Sequence, residues 1–250
     1  MLEVRNLTKS FGGVTAVQDV FFSVSQGAIH SVIGPNGAGK TTLFNLITGI
    51  YEPTAGQISF NGEDIGGMAP DQLARRGMSR TFQNLQICMN MTACENVMLG
   101  SHLSLNHRLL AGMVFGRKLA SRERECEEDA RGLMEFTGVG QYVKAHTTEM
   151  SFGALKRLEI ARALAAKPKM LLLDEPAAGL NRVETVEISS LIQKIAKTGI
   201  TVLLVEHDMK LVMSISDHIL VLDYGKKLAE GSAEQVSKDP AVVAAYLGAA

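Results

Sequence analysis

Three short stretches of this chain carry side chains whose types and spacing suit phosphate chemistry. The first is "GPNGAGKTT", made of Gly34, Pro35, Asn36, Gly37, Ala38, Gly39, Lys40, Thr41 and Thr42. It fits the pattern G-x-x-x-x-G-K-S/T. Glycines let the backbone curl until successive N–H groups face one anion. Lys40 can then reach the β- and γ-phosphates of a nucleotide, and the Thr41 hydroxyl can sit on Mg2+. The second stretch is "LLLDE" (171–175), which ends an apolar run in two carboxylates. Asp174 at the strand tip is placed to hold Mg2+ through water. Glu175, one residue on, would point differently, toward a water that can attack the γ-phosphate. A plain strand end is the other reading of this acid pair taken alone. The third is "VLLVEHD" (202–208), which brings His207 to the end of another strand. Open α/β sheets bind ligands there, beyond the carboxyl ends of their strands. A lone histidine is more often structural, but the first two stretches favour contact with the γ-phosphate.

Weaker signals accompany these. Gln83 in "RTFQN" (80–84) closes a strand before a helical region, where an amide can report on Mg2+ and water; a satisfied loop glutamine is the alternative. Phe11 in "KSFGG" can stack on an adenine ring, although core packing is the commoner fate of a phenylalanine. "EMSFGALKRLEIARAL" (149–164) reads as a helix with Ser151 as its cap. Its free N–H groups would also welcome a phosphate. One chain therefore offers two phosphate cradles far apart in sequence.

The elements that must hold these residues follow from the hydrophobic pattern. "LEVRNL", "VFFSVS" and "AIHSVIG" open the chain as strands, and "GKTTLFNLITGI" follows the glycine loop as a helix. "PTAGQISFNG" reads as turn, strand and turn, and "PDQLARRG" as a short helix. From about Asn84 to Thr148 the pattern shows helices and loops without a strand. There "SRERECEEDARGLMEF" puts Cys126, Ala130, Leu133 and Phe136 or Thr137 on one face. "LLAGMVFG" (109–116) reads as core packing or as a docking surface. "MLLLDEP" and "ITVLLVEHD" are near-continuously apolar, as buried parallel strands require, with a crossover helix at about 181–197. "HILVLDYG" and "KKLAEG" add late strands. The order of elements gives an α/β class.

Bulk properties narrow the function. A chain of 250 residues, 46% hydrophobic, supports one large domain. A net charge of -1 argues against a protein that coats nucleic acid. Cys88, Cys94 and Cys126 lack metal-site or disulfide spacing and fit a reducing compartment. No apolar stretch approaches the length of a spanning helix, so work at a membrane requires another chain.

In this order the motifs resemble the ATP-binding subunits of ABC transporters, over essentially the whole chain. The resemblance implies a P-loop NTPase core of mainly parallel sheet with helices, an antiparallel β subdomain and an inserted helical subdomain. The expected division is 1–83 with 165–250 for the core and 84–164 for the helical part. Such subunits pair head to tail around two ATP molecules. "MSFGA" (150–154) then stands at the signature position, where Ser151, Phe152, Gly153 and Ala154 contact ATP held by the partner. The two cradles thus serve two nucleotides. Ala178, Gly179, Leu180 and Asn181 match the D-loop, with Asn181 where Asp is usual. The resemblance adds Gln83 as a Mg2+ contact beside Thr41 and Asp174, and gives Glu175, His207, Gln83 and Lys40 the catalytic roles.

A closer likeness is to the branched-chain amino acid uptake ATPases, carried by "GMSRTFQNLQ", "DEPAAGLN", "VEHDMKLVMSISDHI" and "AAYLG". Residues 104–120 resemble an insertion of that branch. Ala154 and Leu155 stand where glutamines are expected, Phe152 where glycine is, and Arg182 where proline is common. That likeness implies ATP and Mg2+ as ligands and a second ATPase chain, with a heterodimer favoured over a homodimer. It also implies two membrane permease subunits and, indirectly, a substrate-binding protein. The place of work would be the cytoplasmic face of the cell membrane, with no nucleic acid bound. Leu85 and Met89 are expected to face the membrane subunits. A lipopolysaccharide-export ATPase or a non-transport ABC ATPase is the alternative.

Overall fold

The computed structural model describes residues 1–102 and 116–247. Residues 109–115 of "LLAGMVFG" and most of the 104–120 insertion lie outside the described residues. The chain divides into two compact units, Met1–Arg80 with Lys169–Ala250 and Thr81–Pro168. The expected borders were 83/84 and 164/165, so Gln83 falls in the helical unit and not in the core unit.

The core unit holds two sheets. Strands β1 (Leu2–Phe11), β2 (Val14–Val24), β4 (Ala55–Phe60) and β5 (Glu63–Asp64) form an antiparallel sheet in the order β2-β1-β4-β5. The second sheet has the order β10-β9-β3-β8-β7-β6. Its strands are β3 (Ile29–Ile33), β6 (Met78–Arg80), β7 (Met170–Asp174), β8 (Thr201–Val205), β9 (His218–Asp223) and β10 (Lys226–Gly231). All are parallel except the β9–β10 hairpin. Every residue of β3, β7 and β8 is buried. That is why the β7 and β8 runs read as near-continuous apolar stretches, since helices cover both faces of such a sheet, whereas β3 buries His30 and Ser31 among its apolar residues. The helices are α1 (Lys40–Ile47), α2 (Pro70–Arg75), α6 (Arg182–Lys197), α7 (Met209–Ile215), α8 (Ala233–Lys238) and α9 (Pro240–Leu247). One apolar cluster joins Val4, Val20 and Phe22 of the small sheet to Phe44, Leu172, Leu203 and Leu220.

The helical unit comprises α3 (Ala93–Gly100), α4 (Gly116–Phe136) and α5 (Phe152–Ala165). Its core gathers Val97, Ala130, Met134, Ala154, Leu158 and Ala161. On α4 the buried row is Cys126, Ala130, Met134 and, just past its end, Thr137, four or three residues apart. Met134 was not in the expected face, and Leu133 and Phe136 are only half-buried. Among the described residues this unit contains no strand, only an isolated bridge between Thr92 and His146. No described helix is long and apolar enough to cross a membrane.

Candidate functional site

The glycine loop connects β3 to α1, and three of its glycines have positive φ: Gly34 at 152°, Gly37 at 81° and Gly39 at 97°. Two of them are also pressed by backbone. A Cβ on Gly34 would meet the Leu222 carbonyl oxygen at 2.1 Å, and one on Gly39 the Ala16 oxygen at 2.5 Å. The loop is fixed from outside by Gly225, whose N–H donates to Ala38 O (3.1 Å) and whose carbonyl accepts from Gln18 N (2.7 Å). Gly39 caps α1 in a left-handed conformation without any side-chain hydrogen bond. The first-turn amides of α1 therefore have no side-chain cap and an anion is their natural partner. Lys40 is buried, with Nζ donating to Gly34 O (2.7 Å) and Pro35 O (3.0 Å). Burial pushes its pKa below the ordinary lysine value, while Glu175 and Asp174 pull it back up. Asn36, Gly37 and Thr41 are exposed, so the outer rim of the loop faces solvent.

Strand register assembles the rest. Val32 pairs with Val205 and Val205 with Asp174, so β3, β8 and β7 end at one level. The glycine loop, Asp174–Glu175 and Glu206–His207 leave the carboxyl ends of three adjacent strands. Asp174 is buried and accepts from Arg80 Nη2 at 2.7 Å. Arg80 Nη1 donates to Asn45 Oδ1 (2.7 Å) and Thr48 Oγ1 (2.8 Å), which ties the acid to α1. Glu175 has φ 48°, a left-handed conformation that costs a non-glycine residue on the order of 1 kcal/mol. Its amide is held by Val205 O at 2.9 Å. That turn separates the direction of Glu175 from that of Asp174. His207 is exposed, with Nδ1 3.8 Å from both Glu175 Oε2 and Glu206 Oε2. Glu206 is buried and holds the two strand ends together. It accepts from Ala177 N (2.8 Å), His207 N (3.0 Å) and Asp208 N (3.4 Å).

The expected residues fare differently elsewhere. Phe11 is 43% exposed rather than packed in the core; it meets Tyr51 edge-on at 5.2 Å, with Lys9 Nζ 5.1 Å from its ring. Gln83 is exposed, and its carbonyl accepts from Lys156 Nζ at 3.2 Å within the helical unit. Ser151 and Phe152 are exposed at the start of α5. Ser151 Oγ accepts from Ala154 N at 3.3 Å. Gly153 and Ala154 are buried, and the Ala154 methyl belongs to the core of its unit. Its side chain therefore does not face outward as a nucleotide contact would. Asn181 caps α6, accepting from Val183 N (2.9 Å) and Glu184 N (3.1 Å) while Glu184 returns a bond to its amide. Ala178 to Leu180 form the turn before it. Met89 is exposed, but Leu85 packs partly against the helical core.

Sequence reasoning gave no role to Arg80, Glu206 or Gly225. Arg80 stands in "RTFQN" and Glu206 in "VEHD", yet their partners lie 94 and 29 residues away, and no local spacing marks them. The donors fit a small divalent cation. Among the described residues no cluster of three or more His, Cys, Asp or Glu could hold a metal alone. Mg2+ needs none, because it keeps waters and takes phosphate oxygens beside one or two protein groups. Asp174 and the exposed Thr41 hydroxyl can provide those groups.

The family model "ABC transporter" matches residues 17–178. The chain belongs to the ABC transporter family. A second model, for branched-chain amino acid ATP-binding cassette transporters, matches residues 226–250 of this ABC protein. It is 46% identical to the high-affinity branched-chain amino acid transport ATP-binding protein BraF of Pseudomonas aeruginosa, covering 100% of this chain and 98% of that one. It is 41% identical to LivG of Escherichia coli, with the same coverage. Its structure is similar to a nucleotide-free ATP-binding cassette (TM-score 0.86, 34% identity, 98% of each chain). It is also similar to the ADP conformation of the cassette MJ1267 (TM-score 0.87, 35% identity, 99% and 98%).

Proposed function

We propose that this ABC ATPase drives uptake of branched-chain amino acids, working peripherally at the cytoplasmic face of the cell membrane. It would act with two permease subunits, a second ATPase chain and, indirectly, a substrate-binding protein. The substrate class is supported by 46% identity across the whole chain to BraF and by the match over residues 226–250. Lys40 and the loop amides bind the β- and γ-phosphates, and Phe11 receives the adenine. Thr41, Asp174 and Gln83 are the groups for Mg2+, which when bound neutralises charge on the phosphates. Glu175 accepts a proton from the attacking water, and His207 steadies the γ-phosphate. Catalysis of this kind is positioning plus charge stabilisation. Ser151, Phe152 and the Gly153 amide contact ATP on the partner chain, and Ala154 contributes only its backbone. The partner is proposed to be a different ATPase chain.

The observation that carries this reading is the convergence of the glycine loop, Asp174, Glu175 and His207 at the ends of three adjacent strands. The test is to reconstitute the chain in liposomes with two permease subunits and a second ATPase chain of this family, and to measure leucine uptake on adding ATP and a binding protein. Glu175→Gln should abolish uptake, bind ATP normally and elute as a long-lived closed dimer with ATP and Mg2+. Uptake unchanged in that variant would overturn the assignment of Glu175.

A further inference from the structure

Helix α5 carries three charged side chains spaced three apart, Lys156, Glu159 and Arg162. Charges on the buried side of a helix are costly unless they are paired and hydrogen-bonded. Lys156 and Glu159 are nonetheless only 3% exposed each. All three are satisfied by one short piece of backbone in the same unit. Lys156 Nζ donates to Gln83 O at 3.2 Å. Glu159 Oε1 accepts from Gln86 N at 3.2 Å, and the Phe82 backbone also bonds to this carboxylate. Arg162 Nη1 donates to Gln86 O, while its Nη2 lies 3.8 Å from Glu159 Oε1. Four backbone groups between Phe82 and Gln86 are thus held by a single helix face. Burial raises the Glu159 pKa; the Gln86 amide, Arg162, Lys156 and the Phe82 backbone oppose that rise.

We propose that Lys156, Glu159 and Arg162 are positioning residues that make the Gln83 segment and α5 one mechanical body. The helix that begins at Ser151 then carries Gln83 with it, so the signature end and Gln83 cannot shift independently. Residues Phe82 to Gln86 lie in no helix or strand, and a loop so placed opens locally unless it is held. An apolar face on α5 could pack there but would not make these four bonds to the loop backbone. The inference rests on the reading of Gln83 as a contact for nucleotide and Mg2+, and the experiment separates the two.

The full chain is prepared as Lys156→Met, Lys156→Arg, Glu159→Gln and Gln83→Ala. Amide hydrogen exchange is measured without ligand, and steady-state ATPase kinetics with Mg2+. Lys156→Met should speed exchange across Phe82–Gln86 by about tenfold, the expected effect of losing a charge-assisted hydrogen bond, and leave β7 unchanged. It should also lower kcat several-fold with little change in KM for ATP, and Lys156→Arg should restore both. If Lys156→Met does not fold, Glu159→Gln keeps the shape and one acceptor, and faster exchange at Phe82 and Gln86 is expected there. Unchanged exchange in the variant that folds overturns the clamp. Faster exchange with normal kcat, when Gln83→Ala lowers kcat, overturns the coupling. Normal kcat in Gln83→Ala overturns the role of Gln83 while exchange still decides the clamp.

Discussion

Helices α1 and α5 each have a glycine next to or within their first turn, and they start differently. Helix α1 begins at Gly39, left-handed and without a side-chain cap, with the buried Lys40 ammonium beside it. Helix α5 begins at Ser151, whose own hydroxyl accepts from Ala154 N. The first start lacks any side-chain acceptor of its own. The second is already partly satisfied by its own chain. An anion at α1 therefore meets uncapped amides and a cation, whereas at α5 the Ala154 amide is already taken by the Ser151 side chain. On the proposed function, the α1 start would be a site in the monomer, and the α5 start would complete a site whose other half lies on another chain.

The largest expected effect breaks the open start. Lys40→Ala removes the ammonium while leaving the amides, and ATP hydrolysis should fall on the order of a thousandfold or more, with nucleotide binding strongly weakened. Steady-state ATPase assays and titration with a fluorescent nucleotide measure both. Near-normal turnover would remove the distinction between the two starts.

A second change deforms the open start without touching its charge. Gly39→Ala puts a methyl 2.5 Å from Ala16 O at a φ of 97°, so the loop or the β1–β2 hairpin must move. Strain of this kind costs about 1–3 kcal/mol. Urea unfolding should report that loss, and ATP affinity should drop with it. Gly37→Ala is a control, since a Cβ there meets nothing within 4 Å, although its φ of 81° still carries strain.

The strand feeding the open start also gives the fold a pH dependence. His30 on β3 is buried, its Nε2 has no hydrogen-bond partner among the described residues, and its pKa is lowered to about 3 by burial and by His218. The two rings lie 5.5 Å apart, with His218 Nε2 3.9 Å from Glu230. A histidine depressed in the folded state binds a proton more readily when unfolded. Its stabilising contribution is present above pH 6.5 and is lost as pH falls toward 3, at up to about 1.4 kcal/mol per pH unit. Unfolding measured from pH 7 to pH 5 should show that slope, and His30→Gln should flatten it. An equal slope in both would assign the acid sensitivity elsewhere.

The open start was far more legible in the sequence than the capped one. A glycine loop, a leucine strand with terminal acids and an apolar run into "EHD" each have a local cause, so β3, β7, β8 and α1 follow from spacing. Arg80 and Glu206 did not, because they work across strands from distant parts of the chain. The inward turn of Ala154 was missed for another reason. Helical periodicity groups it with Leu158 and Ala161, but alignment to a motif invites an outward reading. Nor does a run such as "KRLEIAR" reveal that its charges are buried, since helices usually solvate them.

The smallest effect tests the capped start. Ser151→Ala removes the side-chain cap of α5, which should cost about 1 kcal/mol of stability and lower Tm by about 2–4 °C. Turnover should fall by tenfold at most. The wild-type hydroxyl accepts from Ala154 N through a lone pair, so its O–H remains able to donate to a phosphate, and its removal costs that site one hydrogen bond. The two roles separate in Ser151→Asp. Aspartate caps a helix as well as serine does, so Tm should stay near wild type. Its carboxylate, however, would face the phosphate of the partner's ATP, and like charges brought together repel. Turnover in Ser151→Asp should therefore fall further than in Ser151→Ala although the protein is more stable. If turnover instead follows Tm across the two variants, Ser151 is a cap alone, and the second start is no part of an ATP site.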